Sequence, residues 1–292
     1  MSQSLHGAQS RGLVTAGDGY RIEPVEPRPA RLREQAALLA HVFPRSGRYS
    51  PEYLRWQYAE NPSGTAVGFD AYDGESLAAH YVTQPLEAEI FGRVERGLLS
   101  FNTATHPGHQ GRGLFTRLAR ATYARARELG FGFVVGVANA NSTPGFTGRL
   151  GFTLVAPLDV ETGFGYVDAD PAQRPAFRQL WSRERLAWRL RNPNVRYRLA
   201  RGRLFAPTHL RGVAMQLTCE SYESAPAPSG RQPLLGAWLG LHPSRRRRGV
   251  ALAIPPSLRP SPLNLIFLDL TSQHRTLQRS DVQFEALDFD AY

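Results

Sequence analysis

Residues 109–113, His-Gln-Gly-Arg-Gly, carry the clearest chemical signal in the chain. They follow an apolar run that ends at His106-Pro107, and they precede a segment with Leu114, Leu118 and Ala121 on one helical face. Strand, glycine turn and helix in that order aim unpaired backbone N–H groups at an anion. Gly111 and Gly113 lack a Cβ, so the backbone there can adopt left-handed conformations and approach an anion closely. Arg112 adds a positive charge at the same point. A plain strand-to-helix loop also uses glycine, so the turn alone leaves both anion binding and simple chain reversal open.

Composition narrows the other chemistries. All 35 basic residues are arginine, which excludes a Schiff-base lysine and a Walker-type lysine. The single Cys219 excludes an intramolecular disulfide and a thiolate zinc cluster; its expected place is a core strand, and no metal is expected. A formal charge of +10 favours anionic partners, a condition that CoA, nucleotide-activated sugars and nucleic acids all satisfy. The arginine run 245–248 has three readings: a solvated loop by default, a clamp for a nucleotide diphosphate, or a nucleic-acid patch. No aromatic residue interleaves the run, as single-stranded nucleic acid would favour.

The elements around the turn follow from periodicity and punctuation. Residues 20–25 read as a strand and 31–43 as a helix stopped by Pro44. Ser50-Pro51-Glu52 opens a second helix, with serine as N-cap and proline in the first turn. That helix carries Tyr53, Leu54, Trp56 and Tyr58 and stops at Asn61-Pro62. Residues 66–72, 77–84 and 86–90 read as a meander, and 97–105 as the strand entering the turn. The helix after the turn runs to Leu129, with Gly130 as its C-cap. A strand over 131–138 follows, then a turn from Asn139 to Phe146, then a short helix closing at Arg149-Leu150-Gly151-Phe152.

This succession resembles the GNAT superfamily of acyl-CoA-dependent N-acyltransferases, of the kind with a tandem, degenerate second GNAT-like half. Gln110, Gly111 and Gly113 match its G-x-G turn, and the Asn-rich turn and Leu-Gly-Phe ending match later motifs over residues 20–162. The resemblance implies an α/β (α+β) fold, a central mostly antiparallel sheet flanked by helices, with acetyl-CoA or another acyl-CoA as co-substrate. Its site residues would be Gln110, Gly111, Arg112, Gly113, Leu114 and Phe115 for the pyrophosphate. The backbone of Asn102, Thr103, Ala104 and Thr105, on a strand that splays from its neighbour, would serve pantetheine and the thioester oxygen. Asn139, Asn141 and Ser142 would serve the pantetheine amides, although a turn-capping role competes for the asparagines. Trp56, Tyr58 and Asn61 would line the acceptor pocket, and Glu95 would be the general base, out of register by two residues from Gly97. Two departures stand out: Phe115 where the motif often has Gly or Ala, and Phe146 and Thr147 where many members have a tyrosine that protonates the departing thiolate.

The second half echoes the first. His106-Pro107, five residues and Gly113 correspond to His242-Pro243, five residues and Gly249. Leu54-Arg55-Trp56 with Asn61-Pro62 corresponds to Leu186-Ala187-Trp188 with Asn192-Pro193, and 131–137 to 263–268. Arg247 stands where the first copy has Gly111, so only the first unit is expected to bind acyl-CoA. The expected organisation is a disordered tail over 1–19, a GNAT acyl-CoA-binding catalytic domain over 20–165, and a degenerate GNAT-like domain over 166–292 that completes the acceptor site.

The expected activity is acyl transfer from CoA to a primary amine by direct attack in a ternary complex. A nucleotide-linked amino sugar is the first acceptor expected; aminoglycosides, polyamines and peptide N-termini are alternatives. A basic nucleic-acid-binding module is the alternative of another class. Partners expected are a small-molecule amine and a second copy of the chain, with no nucleic acid. No apolar stretch approaches spanning length, and residues 1–19 lack the apolar core of a signal peptide; no membrane insertion and a cytoplasmic location are expected.

Overall fold

The meander consists of β1 (Leu13–Val14), β2 (Tyr20–Pro24), β3 (Val67–Asp73), β4 (Ser76–Ile90) and β5 (Arg93–Thr105), each antiparallel to the next. Two helices lie between β2 and β3: α1 (Pro29–Val42) and α2 (Pro51–Tyr58). The computed structural model describes residues 13–14, 19–169, 173–200, 203–217, 230–231, 233–259 and 261–290, and structural statements concern these. Cys219 lies outside them.

Pro85 does not end its strand as the sequence spacing predicts; 77–84 and 86–90 are one strand, β4. Pairing of β3 with β4 stops at Thr83, and β9 (Phe177–Gln179) takes up the same edge only from Ala88. Proline therefore sits where that edge asks for no N–H donor. Its carbonyl accepts from Asn61 Nδ2 at 2.7 Å.

After β5 come α3 (Leu114–Glu128), β6 (Phe133–Ala138), α4 (Thr143–Arg149), β7 (Thr153–Pro157) and β8 (Asp159–Ala169). β6 runs parallel to β5, and β15 (Asn264–Asp269) lies antiparallel between β6 and β7. A strand from the C-terminal part thus closes the sheet that carries the glycine turn. α3 packs on one face through Leu114, Leu118, Ala119 and Tyr123 against Phe69, Tyr81 and Leu98. α1 and α2 cover the other through Leu39, Tyr53, Leu54 and Tyr58 against Val82 and Ala104.

The remaining elements are α5 (Arg183–Leu190), β10 (Arg198–Ala200), β11 (Arg203–Pro207), β12 (Val213–Leu217), β13 (Leu235–Leu241), β14 (Arg245–Ala253), β16 (Val282–Glu285) and α6 (Ala286–Phe289). β9 pairs with β16 and β16 with β13, joining the two parts of a mixed sheet. The tryptophan echo is realised as a local two-fold. Trp56 on α2 and Trp188 on α5 stack at 4.8 Å and 14°. Each indole Nε1 donates to the other residue's carbonyl at 2.9 Å. Ser50 and Ser182 cap the two helices alike, accepting from Tyr53 N and Arg185 N.

The His-Pro echo is not realised as a second turn. Residues 245–248 are not the loop expected by default; they begin β14, an edge strand paired with β8. Glu161 on β8, its side chain 1% exposed, meets Arg245 and Arg247 at 2.5 and 2.6 Å, and Asp159 meets Arg245 at 2.8 Å. Burial alone would raise both carboxyls, but hydrogen bonds and charge from Arg247 and Arg245 on Glu161, and from Arg279 and Arg245 on Asp159, outweigh it and hold both below the usual range. A depressed carboxyl contributes stability that is present above its unfolded value, about pH 4, and is lost as pH falls through the folded value. Thermal melts are therefore expected to show a fall in stability below about pH 4 that is shallower in Glu161→Gln.

Candidate active site

The glycine turn takes the geometry that its residues allow. Gly111 and Gly113 have φ of +76° and +73°. Nothing lies within 4 Å of a Cβ built on either, so backbone conformation, not crowding, requires glycine there. Gly113 is the N-cap of α3 and offers no side-chain cap. The first intrahelical bond runs from Arg117 N to Gly113 O at 3.1 Å. That leaves the N–H groups of Leu114, Phe115 and Thr116 for a ligand or solvent, at the positive end of the helix dipole. Arg112 is exposed and folds back, its Nη1 donating to Tyr20 Oη at 2.8 Å and its Nη2 to Gly108 O at 3.3 Å. Gln110 Nε2 donates to Thr105 O at 3.4 Å and ties the turn to the end of β5.

The strand entering this turn parts from its neighbour. Parallel pairing of β5 with β6 covers only Gly97 to Ser100 against Phe133 to Gly136, while β5 runs on to Thr105. Within the unpaired stretch, Asn102 has φ +46°, and the register with β4 shifts between His80 and Val82. Such a bulge turns main-chain groups out of the ladder. A wedge between two strands, leading to a helix N-terminus with a glycine turn, is a slot for an extended ligand with an anionic end.

Residues 26–155 match the family model for the acetyltransferase (GNAT) domain. Over those residues the chain is similar to that domain. Among solved structures, it is similar to a protein of Enterococcus faecalis V583 described as a "Probable N-Acyltransferase" (10% identity, 86% of this chain and 73% of that chain, TM-score 0.56). It is also similar to GCN5-related N-acetyltransferases from Kribbella flavida (13%, 85% and 72%, 0.54) and Anabaena variabilis ATCC 29413 (11%, 86% and 73%, 0.55). At these identities the likeness is one of fold. No curated protein matches by sequence.

In the matched segment, the residues that the sequence singles out fall into three groups. Asn102, Thr103, Ala104 and Thr105 lie on the freed end of β5, and Gln110 to Phe115 lie on the turn and first helical turn. Phe115 packs edge-on against Tyr81 at 6.0 Å and Phe146 at 5.2 Å, joining α3 to α4. Asn139, Asn141 and Ser142 follow β6. Asn139 Oδ1 accepts from Asn141 N and Ser142 N at 3.0 and 2.9 Å, so its side chain organises that turn.

Trp56, Tyr58 and Asn61 are all buried. Trp56 is committed to the Trp188 stack, and Asn61 to Pro85 O and Ser63 N. Glu95 lies on β5 seven residues before Asn102, about 23 Å along a strand. Its Oε1 is held by Arg275 Nη1 at 2.7 Å. The structure does not bring Glu95 to the wedge.

It brings there a buried polar chain that the sequence reading missed. Gln35 Nε2 donates to Asp70 Oδ2 at 2.8 Å, and His80 Nδ1 meets Asp70 Oδ1 at 2.6 Å. Tyr58 Oη meets His80 Nε2 at 2.9 Å. Asn102 Nδ2 donates to Tyr58 Oη at 3.1 Å and to Gln57 Oε1 at 2.7 Å. Both amide hydrogens of Asn102 are thus used, and its Oδ1 has no protein donor among the described residues. Tyr58 Oη, accepting from Asn102, donates to His80, which donates to Asp70. Burial pushes the Tyr58 hydroxyl well above its ordinary value, so it stays a donor.

Gly113→Ala is expected to place a Cβ at φ +73°, costing about 1–2 kcal/mol. Chemical denaturation of Gly113→Ala beside the wild type should read that loss as lower stability.

Proposed function

We propose that the protein transfers an acetyl or similar acyl group from acyl-CoA to a primary amine by direct attack in a ternary complex. The observation that carries this reading is the early end of the β5–β6 ladder at Ser100 and Gly136, with the freed end of β5 running into the Gly111–Gly113 turn. In it, the N–H groups at the start of α3 hold the pyrophosphate, with Arg112 beside them. Main-chain groups from Asn102 to Thr105 hold pantetheine and the thioester oxygen, where one donor is worth about 10²–10³ in rate.

The Oδ1 of Asn102 accepts a hydrogen bond from the attacking amine and aims its lone pair at the thioester carbonyl. The C–N bond forms, the C–S bond breaks with its electron pair left on sulfur, and the amine proton passes to solvent. Residues 20–165 act as the catalytic unit in this reading. Residues 166–292 wall the acceptor side, attached through β15 and the Trp188 stack.

For the acceptor we propose the amine of a nucleotide-linked amino sugar, by the resemblance of the Trp–Asn-Pro segment and the Asn-rich turn to GNAT relatives acting on amino sugars. The test is thiol release from acetyl-CoA across nucleotide amino sugars, aminoglycosides, polyamines and peptides. Amine-dependent release with the nucleotide amino sugars supports the acceptor; release with another class corrects it.

A further inference from the structure

A thioester gives up its sulfur as a thiolate, and that charge needs a hydrogen-bond donor where the C–S bond breaks. Phe146 and Thr147 offer no phenol, and Phe146 is buried in the core. The structure supplies hydroxyls from another direction. Ser100 on β5 faces Gly136 in the last parallel pair before the strands part. A Cβ on Gly136 would come within 3.3 Å of Ser100 Cβ, so glycine keeps the space beside the serine open. Ser100 Oγ lies 2.9 Å from Tyr81 Oη, which lies 2.5 Å from Tyr123 Oη.

The direction of this chain follows from its buried end. Tyr123 is 4% exposed, and its hydroxyl sits by Tyr81, with the rings of Tyr81 and Phe152 edge-on around it. Were Tyr123 the last acceptor, its own hydrogen would be buried without a partner, at a cost of about 1–3 kcal/mol. Tyr123 therefore donates to Tyr81 and Tyr81 to Ser100, which leaves the Ser100 hydrogen for a further acceptor. Burial pushes Tyr81 up to about 12 and Tyr123 well above its ordinary value, so both phenols keep their protons at neutral pH.

We propose that Ser100, backed by Tyr81 and Tyr123, donates a hydrogen bond to the CoA sulfur and stabilises the departing thiolate. This rests on the acyl-CoA reading above. No proton changes hands in the chain: the electron pair of the broken C–S bond stays on sulfur, and the thiolate takes its proton from solvent.

The test needs no amine. CoA and desulfo-CoA are titrated calorimetrically into the full chain at pH 6.5 and 8.5. A donor to sulfur lowers the pKa of the bound thiol below that of free CoA. The wild-type preference for CoA over desulfo-CoA is then expected to rise by about tenfold between the two pH values. Ser100→Ala should reduce that rise to less than about threefold, with desulfo-CoA affinity kept within about threefold of wild type. Tyr123→Phe should weaken the rise by an intermediate amount. A preference that stays flat in the wild type, or rises equally in Ser100→Ala, overturns the proposal while leaving CoA binding intact. Failure of the wild type to bind either ligand overturns the acyl-CoA reading itself.

Discussion

Trp188→Ala is expected to destabilise the protein by about 3–5 kcal/mol, the range for removing a large buried aromatic side chain. Trp188 is fully buried, and its loss removes more than volume. It ends the stack on Trp56 and the bond from Trp188 Nε1 to Trp56 O. Trp56→Ala should cost a similar amount, since the two residues play mirrored parts. The double variant should cost less than the sum of the two by about 1 kcal/mol or more, as for side chains in direct contact. Chemical denaturation followed by circular dichroism reads all three values. Strict additivity would show that α2 and α5 are held independently of each other. The same stack fixes α2, whose last residues Gln57 and Tyr58 hold Asn102, so loss of turnover should accompany loss of stability.

Asn102→Gly is the second large effect expected, and it falls on catalysis. Glycine keeps the left-handed backbone at φ +46° and every main-chain donor of the bulge while removing the amide. If Oδ1 orients the amine, kcat/KM should drop by about 10²-fold, the scale of a lost positioning contact, with acetyl-CoA affinity unchanged. Turnover with the best amine of the panel and calorimetry with acetyl-CoA give the two numbers. Equal loss of both would place Asn102 in cofactor binding instead.

What was legible in the chain was what local chemistry fixes. Ser50 caps α2, Gly130 ends α3 with φ +78°, and Gly111 and Gly113 take positive φ in the turn, each for reasons present within a few residues. The glycine turn could therefore be found without the fold. Asp70 and His80 could not: each stands between apolar neighbours in its strand, and beyond each other their partners, Gln35 and Tyr58, come from α1 and α2. The same holds for Ser100, Tyr81 and Tyr123, drawn from β5, β4 and α3. Residues 245–248 looked like a solvated run because the acids that bind them, Asp159, Glu161 and Asp168, lie on a distant strand. Glu95 was singled out by its position beside a motif, and its partner Arg275 is 180 residues away. The repeat was visible as three echoes: the tryptophan pair became a contact, 131–137 and 263–268 supply the paired strands β6 and β15, and the His-Pro pair did not become a second turn.

Calorimetric titration of the full chain with acetyl-CoA, run beside a titration with a DNA or RNA oligonucleotide, tests the central claim most directly. An acyl-CoA slot at the β5–β6 wedge predicts saturable one-to-one binding of acetyl-CoA with a defined heat. Salt-sensitive binding of the oligonucleotide with no acetyl-CoA heat would contradict it.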